Sequence, residues 1–385
     1  KILVLSYFYP PDLSAGSFRA ESIVKELSKD KDIEINIITT TPNRYDSYNT
    51  LSQAKNSQTK KIKIFRAETK FKSKSFFGQI LNFASYAIYC LKISRKINFD
   101  VVFATSSRLL TATLGAFISK IFKKPLYLDI RDIFIDTIDS VYNKITSRIL
   151  KIFLSPIESF TYRSANHINL VSRGFEKYFK EKKLSAKFSY FTNGIDKIFI
   201  KRKWSYNITD KKILLYVGNI GYGQALHKLI PRLSEKISKE WHIKIIGDGN
   251  LKKNLIESTQ LRSNISIHKP QQREQLLDEY DKASVLLLNL ENAAAFEKVL
   301  PSKIFEYAAT QKPIIAGVNG FSAKFIKDNI ENALVFNPCD DIQANNALKS
   351  IKLSSTQREK FINEFNRKNI VKSIAKSIVS TEENA

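Results

Sequence analysis

Along most of its length the chain alternates short β-rich runs with stretches of helical periodicity, a pattern that requires parallel sheets flanked by helices. The first series runs ILVLSYF (2–8), a helical stretch near 17–29, IEINIIT (33–39), VVFAT (101–105), LYLDI (126–130) and HINLVS (167–172). It closes in KFSYFTNGIDKIFIKRKW (187–204), where a strand ends in a Thr-Asn-Gly-Ile-Asp turn and the chain becomes irregular and basic, as an interdomain connection does. A second series follows: KILLYVGN (212–219), HIKIIGDGN (242–250), ISIHKP (265–270), SVLLLNL (284–290), PIIAG (313–317) and ALVF (333–336). The 385 residues therefore read as α/β, with two doubly wound Rossmann-like domains, 1–195 and 196–385. The last helix is allowed to pack back on the first domain. Ligands of open α/β sheets gather at the carboxyl ends of the strands, so two facing domains predict a cleft.

A formal charge of +25 exceeds what solubility needs and points to an anionic environment: phosphates, nucleic acid or an acidic lipid surface. Residues 1–195 carry 32 Lys+Arg against 16 Asp+Glu, and residues 196–385 carry 30 against 21, so the first domain is expected to face the acidic partner. Cys90 and Cys339 lie in opposite halves without metal-ligand spacing and read as buried thiols of a reducing compartment. No apolar run approaches the ~18 residues of a membrane span. The opening KILVLSYFYPP is halted by prolines too soon for a signal peptide, which predicts a cytoplasmic protein. The Asp-x-Asp of Asp30-Lys31-Asp32 falls at a helix-to-strand turn and reads as surface, so no metal is expected. His167, His227, His242 and His268 form no catalytic pattern, although His268 fits the lining of a base pocket.

Three segments suit phosphate. In YFYPPDLSAGSFRAESIVKEL (7–27), Gly16 and Ser17 open a helix bearing Arg19; helix-start amides attract anions, although Ser17 also reads as a plain N-cap. VGNIGYGQAL (217–226) runs a strand into a loop with Gly218, Gly221 and Gly223, and IIGDGN (245–250) does the same with Gly247 and Gly249. FEKVLPSKIFEYAATQKPI (296–314) starts a helix at Leu300, Pro301 and Ser302, with proline in a first-turn position where its missing N–H costs nothing. Lys298 and Lys303 add charge for a diphosphate, and an ionised Glu306 can accept both hydroxyls of a ribose. The alternative for Lys303 and Glu306 is a solvated i,i+3 pair.

KFKSKSFFGQILNFASYAIYCLKISRKI (70–97) sets Lys70, Lys72 and Lys74 before Phe76, Phe77, Ile80, Leu81 and Phe83, and ends in Lys92, Arg95 and Lys96. A basic helix with an aromatic apolar face is the pattern of an interfacial element. A core helix with surface lysines at its ends is the alternative.

Together, YPPDLSAGSFRA, TTTPNRY, LDIRDIF, TNGID, VGNIGYGQAL, IIGDGN and LPSKIFEYAATQKPI span nearly the whole chain. In that combination and order the chain resembles the GT-B glycosyltransferases of family 4, and most closely the branch of bacterial O-antigen and capsule aminosugar transferases (WbuB-like). The resemblance implies retaining, metal-independent transfer of a sugar, an N-acetylated aminosugar, from a UDP-sugar, with no resident cofactor. It also implies a polyprenyl-diphosphate-linked glycan acceptor, an anionic membrane surface as partner and a peripheral position on the inner face of the plasma membrane.

Carried over by position, Glu306 matches the ribose-binding glutamate. The loop from Lys298 through Leu300, Pro301 and Ser302 matches the segment holding the donor sugar and β-phosphate, and Lys303 matches the leaving-group lysine. Gly16 matches the first-domain glycine beside the diphosphate. Asn219, Gly221 and Gln224 match the second-domain phosphate loop, and Gly247 joins the donor set. Arg19, Asn43 and Ser106 are expected at the acceptor, and Lys72, Lys74, Phe76 and Phe77 at the membrane. The chain departs from the pattern twice. Many relatives carry glutamate where Lys298 stands, with Glu297 one residue off, and many carry histidine where Arg131 stands. Retaining chemistry in which the diphosphate leaves on the face that the acceptor attacks needs no protein nucleophile, only stabilisation of the growing phosphate charge. Lys303 and Arg131 fit that demand, and Asp132 fits either an orienting partner of Arg131 or a base for the acceptor hydroxyl.

Two other classes fit the sequence less well. A nucleotide-sugar epimerase or dehydrogenase needs GxGxxG after the first strand, which LSAGSF does not supply. A nucleic-acid-binding protein would account for the charge and predicts a basic stripe with exposed aromatics; no nucleic-acid partner is expected.

Overall fold

The computed structural model describes all residues except 13, 43–56, 60, 70–75, 107, 108, 207–210, 384 and 385. Strands buried on both faces need apolar side chains at every position, and that continuous pattern puts most strands where the sequence has them. The chain forms two units, residues 1–192 with 369–385, and residues 193–368.

Unit 1 is built on an eight-stranded sheet of order β3-β4-β2-β1-β5-β6-β7-β8. These strands are β1 Ile2–Leu5, β2 Ile35–Thr40, β3 Ser57–Gln58, β4 Ile62–Ala67, β5 Val101–Thr105, β6 Leu126–Ile130, β7 His167–Leu170 and β8 Lys187–Ser189. All neighbours pair in parallel except β3 with β4, which are antiparallel at the edge. The helices are α1 Ala15–Leu27, α2 Phe76–Ser94, α3 Leu109–Phe122, α4 Phe134–Val141, α5 Lys144–Arg163 and α6 Glu176–Glu181. On one face of the sheet, Ile2, Val4, Ile35, Ile37, Val101 and Phe103 pack with Ala20, Ile23, Val24 and Leu27 of α1. The closing helix of the chain, Arg367–Glu383, adds Val371, Ile374 and Ile378 to this core. Each such side chain contributes on the order of 1.5–3 kcal/mol by its burial. The N-cap of α1 is Ser14, whose hydroxyl accepts from Ser17 N at 3.1 Å, so the capping role considered for Ser17 falls three residues earlier.

Unit 2 is built on a six-stranded parallel sheet of order β11-β10-β9-β12-β13-β14. Its elements are α7 Lys197–Lys201, β9 Lys212–Asn219, α8 Leu226–Lys236, β10 Trp241–Asp248, α9 Lys252–Thr259, β11 Ile265–His268, α10 Arg273–Lys282, β12 Val285–Asn289, α11 Lys303–Ala309, β13 Ile314–Gly317, α12 Gly320–Asn329, β14 Ala333–Phe336, α13 Asp341–Ser350 and α14 Glu359–Glu364. The closing helix, beginning at Arg367, is α15. The connection predicted from the basic stretch after Thr-Asn-Gly-Ile-Asp contains α7, and Ile195 bridges in parallel to Asn366.

Candidate functional site

The carboxyl ends of β9 and β10 set the site in unit 2. Their register pairs Gly218 with Gly247, and both positions require glycine. Gly218 has φ +139°, and a Cβ there would lie 2.0 Å from Lys303 Cε. A Cβ on Gly247 would lie 1.8 Å from the Gly218 carbonyl oxygen. The two strand ends therefore approach each other and Lys303 as backbone only.

Lys303 is the first residue of α11, and its stem lies across Gly218. Its Nζ donates to the Tyr216 hydroxyl at 3.2 Å and sits 4.9 Å from the centre of that ring. The Tyr216 hydroxyl in turn donates to Asn219 O at 2.6 Å. Burial pulls the ammonium down to about 8, against the opposing pull of Glu306. Among the described residues no carboxylate lies within ion-pair distance of Lys303. A desolvated cation with only a phenol as acceptor is a strong attractor for an anion.

Asn219 and Gln224 complete the loop after β9. Asn219 Nδ2 donates to Gln224 Oε1 at 2.6 Å, and Asn289 at the end of β12 donates from Nδ2 to Gln224 O at 2.9 Å. Gly221 lies within this cluster, where a Cβ would meet Asn219 Nδ2 at 2.4 Å. The turn Ala294–Lys298 brings Phe296 against Gly223, so the loop bearing Lys298 packs on the glycine loop. Lys298 is half-buried, while Leu300 is buried and anchors the loop from inside, offering only backbone. Pro301 and Ser302 are half-buried; Ser302 is the N-cap of α11, and Pro301 stands outside the helix, accepting from Ile304 N at 3.2 Å.

Glu306 is one turn along α11, and its Oε1 accepts from Arg273 Nη2 at the start of α10. Arg273 also pairs with Asp196, which forms a second ion pair with Arg367, its Oδ1 2.9 Å from Nε. Burial alone would lower the Arg273 guanidinium, but Glu306 and Asp196 raise it above its ordinary value. The solvated Lys303–Glu306 pair considered from spacing is replaced by two partly buried groups with different partners. Tyr216, Arg273 and Asp196 were not singled out by sequence. Tyr216 lies 87 positions from Lys303 and Arg273 lies 33 from Glu306, and no local signal connects either pair.

In unit 1, Ser106 and Arg131 follow the neighbouring strands β5 and β6, and Ser106 Oγ accepts from Arg131 N at 3.0 Å. Asp132 comes next and is exposed. Gly16 is buried in the first turn of α1. Arg19 is placed differently from the acceptor contact expected for it. It points inward and is 4 % exposed, donating from Nε and Nη2 to the two oxygens of Asp129 at 2.9 Å each. Its Nη1 and Nη2 also reach the carbonyls of Thr192 and Phe191. The Asp129 carboxylate is fully buried, which would raise it, yet Arg19, Asn169 and Arg131 hold it below its ordinary value. Arg19 is thus a structural residue, turned inward because only there does it neutralise Asp129. Asn43, Lys72 and Lys74 lie outside the described residues, and Phe76 and Phe77 begin α2 with their side chains outside the description.

Two doubly wound units, one with glycine-bearing strand ends around a half-buried lysine, define the GT-B class of glycosyltransferase folds. Among solved structures with this fold, sucrose-phosphate synthase from Thermosynechococcus elongatus is 10% identical, with TM-score 0.71, over 100% of this chain and 99% of that one. WaaG, a glycosyltransferase involved in lipopolysaccharide biosynthesis, is 13% identical, with TM-score 0.65, over 100% and 98%. Anabaena HepE in complex with UDP-glucose is 14% identical, with TM-score 0.63, over 100% and 97%. No curated protein matches the sequence. Residues 199–368, which lie within unit 2, match the family model described as glycosyl transferases group 1.

Proposed function

We propose that this protein is a retaining glycosyltransferase that moves an N-acetylated aminosugar from a UDP-sugar to a polyprenyl-diphosphate-linked glycan in surface-polysaccharide synthesis, working on the inner face of the plasma membrane. The observation that carries the reading is Lys303, a half-buried ammonium at the carboxyl ends of β9 and β10 whose charge a diphosphate would neutralise. In this reading Lys303 Nζ holds the β-phosphate, Glu306 accepts the ribose hydroxyls, and Arg273 fixes the Glu306 carboxylate. Asn219, Gly221, Gln224 and Gly247 bring backbone and amide groups to the nucleotide, and the loop from Lys298 to Ser302 reads the sugar. The relatives support a nucleotide-sugar donor, since HepE is seen with UDP-glucose.

The bond from the anomeric carbon to the β-phosphate oxygen breaks as the acceptor oxygen bonds to that carbon on the same face. Lys303 stabilises the charge gathering on the departing diphosphate, and its low-lying ammonium suits contact with an anion in a desolvated site. Unit 1 is assigned the acceptor, with Arg131 and Asp132 following β6 as its catalytic pair and Gly16 at the diphosphate. Asp132, exposed, takes the proton of the acceptor hydroxyl. A thermal-shift panel of UDP-, GDP-, ADP- and TDP-sugars tests the donor: UDP-sugars alone should raise the melting temperature. A response to none of them, or an equal response to all four, would contradict the donor reading.

A further inference from the structure

Thirteen of the sixteen large apolar side chains exposed among the described residues belong to unit 1, on α2 to α5 or at their ends. Helix α5 carries the densest set and is inverted relative to an ordinary surface helix. Ile145, Ile149, Ile152, Phe153 and Phe160 face outward, with Ile145 76%, Ile152 64% and Phe153 69% exposed. Their spacing of i, i+4, i+7, i+8 and i+15 makes one stripe. The buried positions are Ser147, Glu158, Thr161 and Tyr162. Those inward polar groups are satisfied. Glu158 accepts from the hydroxyls of Tyr162 and Tyr178 and pairs with Lys182 at 2.8 Å, Thr161 donates to Ile157 O at 2.7 Å, and Ser147 donates to Asp139. The polar network fixes the rotation of the helix and leaves the apolar stripe facing outward. Beside it, α3 meets α5 through Thr113 and Thr161, 2.8 Å apart, and presents its own stripe of Leu110, Phe117 and Ile121.

The charges around the stripe are basic. Lys144, Arg148 and Arg163 on α5 and Lys120 and Lys123 near the end of α3 are exposed. The one acid of α5, Glu158, is buried and paired, and of the neighbouring acids on α4, Asp139 pairs with Lys151 and Asp136 is half-buried. Unit 1 as a whole carries 34 Lys+Arg against 18 Asp+Glu. We propose that the outward stripe of α5, continued by α3, is the docking face for an anionic lipid bilayer. Its isoleucines and phenylalanines enter the hydrocarbon boundary, and Lys144, Arg148 and Arg163 sit at the level of the lipid phosphates. A second copy of the chain is the weaker occupant, because pairing this face with itself would set like charges together. Among the described residues no helix is long and apolar enough to cross a membrane, in keeping with an element that lies on the surface. The inference deepens the lipid-linked acceptor reading and rests on it. It adds α5 to the 70–97 stretch expected at the interface by sequence, where Ile80, Leu81 and Ile88 of α2 are also exposed and residues 70–75 lie outside the described residues.

The test is sedimentation of the full chain with vesicles containing phosphatidylglycerol and, separately, with vesicles of phosphatidylcholine alone. The wild type should bind the anionic vesicles and release them at high salt. The triple variant I149E/I152E/F153E should bind them about tenfold more weakly or worse. The charge variant R148E/R163E should lose the preference for anionic lipid; it leaves the apolar stripe intact and provides a second reading should the triple variant fold poorly. Wild-type indifference to both vesicles, or triple-variant binding equal to wild type, would overturn the proposal. So would a wild-type dimer in size-exclusion light scattering that the triple variant converts to monomer. A UDP-induced melting shift measured on the same samples separates the two readings: vesicle binding without a UDP response sinks sugar transfer alone, and a UDP response without vesicle binding sinks the docking face alone.

Discussion

Lys303 is the residue on which pH acts most directly. Its ammonium ionises near 8 in the folded chain against an ordinary 10.5, so below about pH 8 it is charged and available to a diphosphate. UDP affinity should therefore be level below pH 8 and fall as pH rises through it, whereas Lys303→Met should be weaker by on the order of 10- to 100-fold and nearly independent of pH over that range. Stability should move the other way. Between about 8 and 10.5 the unfolded chain still holds the proton that folded Lys303 has lost, so unfolding becomes harder as pH rises through that window. Lys312, buried with its Nζ on the carbonyls of Ser205 and Asp281 and also ionising near 8, adds a contribution of the same sign. Isothermal titration and chemical denaturation across pH 7 to 10 would check the two opposed slopes, which no single pH effect on folding reproduces.

At the scale of elements, the glycine pair of β9 and β10 is what allows α11 to present its lysine. Gly218→Ala combines a φ that L-residues rarely adopt with a clash against Lys303, and should cost on the order of 1–3 kcal/mol of stability in unit 2. UDP affinity should fall with it, because the lysine stem must move. Denaturant melts read with UDP titration check this, and a fully stable variant with wild-type affinity would contradict it. The central strands were legible in the sequence because a strand covered on both faces has no polar alternation: VVFAT, LYLDI and KILLYVGN coincide with β5, β6 and β9. Strand β4, Ile62–Ala67, next to the short edge strand β3, was not singled out; lysine and arginine interrupt it and its side chains are only partly covered. The glycines and Lys303 were legible because backbone conformation and helix starts are local properties. Arg273 on Glu306, Tyr216 on Lys303 and Arg19 on Asp129 were not, since each pairing is made by the sheet across 33 to 110 positions. The outward stripe of α5 was missed for a related reason: periodicity finds an apolar face but not the side on which it lies.

At the scale of the whole molecule, two units with separate cores predict separable unfolding. Arg19→Ala leaves Asp129 buried and uncompensated, at a cost on the order of 3–5 kcal/mol. Calorimetry should show the transition of unit 1 lowered while that of residues 193–368 stays in place. The contribution of Asp129 has a defined pH sign as well. Its folded value is depressed, so it stabilises unit 1 above the ordinary carboxylate value of 3.8 and loses that contribution as pH falls below it. The proposed sugar transfer requires nucleotide binding in unit 2, and the most direct measurement is a calorimetric titration of UDP into the wild type, Lys303→Met and Glu306→Ala. Saturable binding to the wild type, weakened in both variants while their melting transitions remain, is the predicted result. No UDP binding to the wild type, or equal binding to all three, would contradict a donor site built on Lys303 and Glu306.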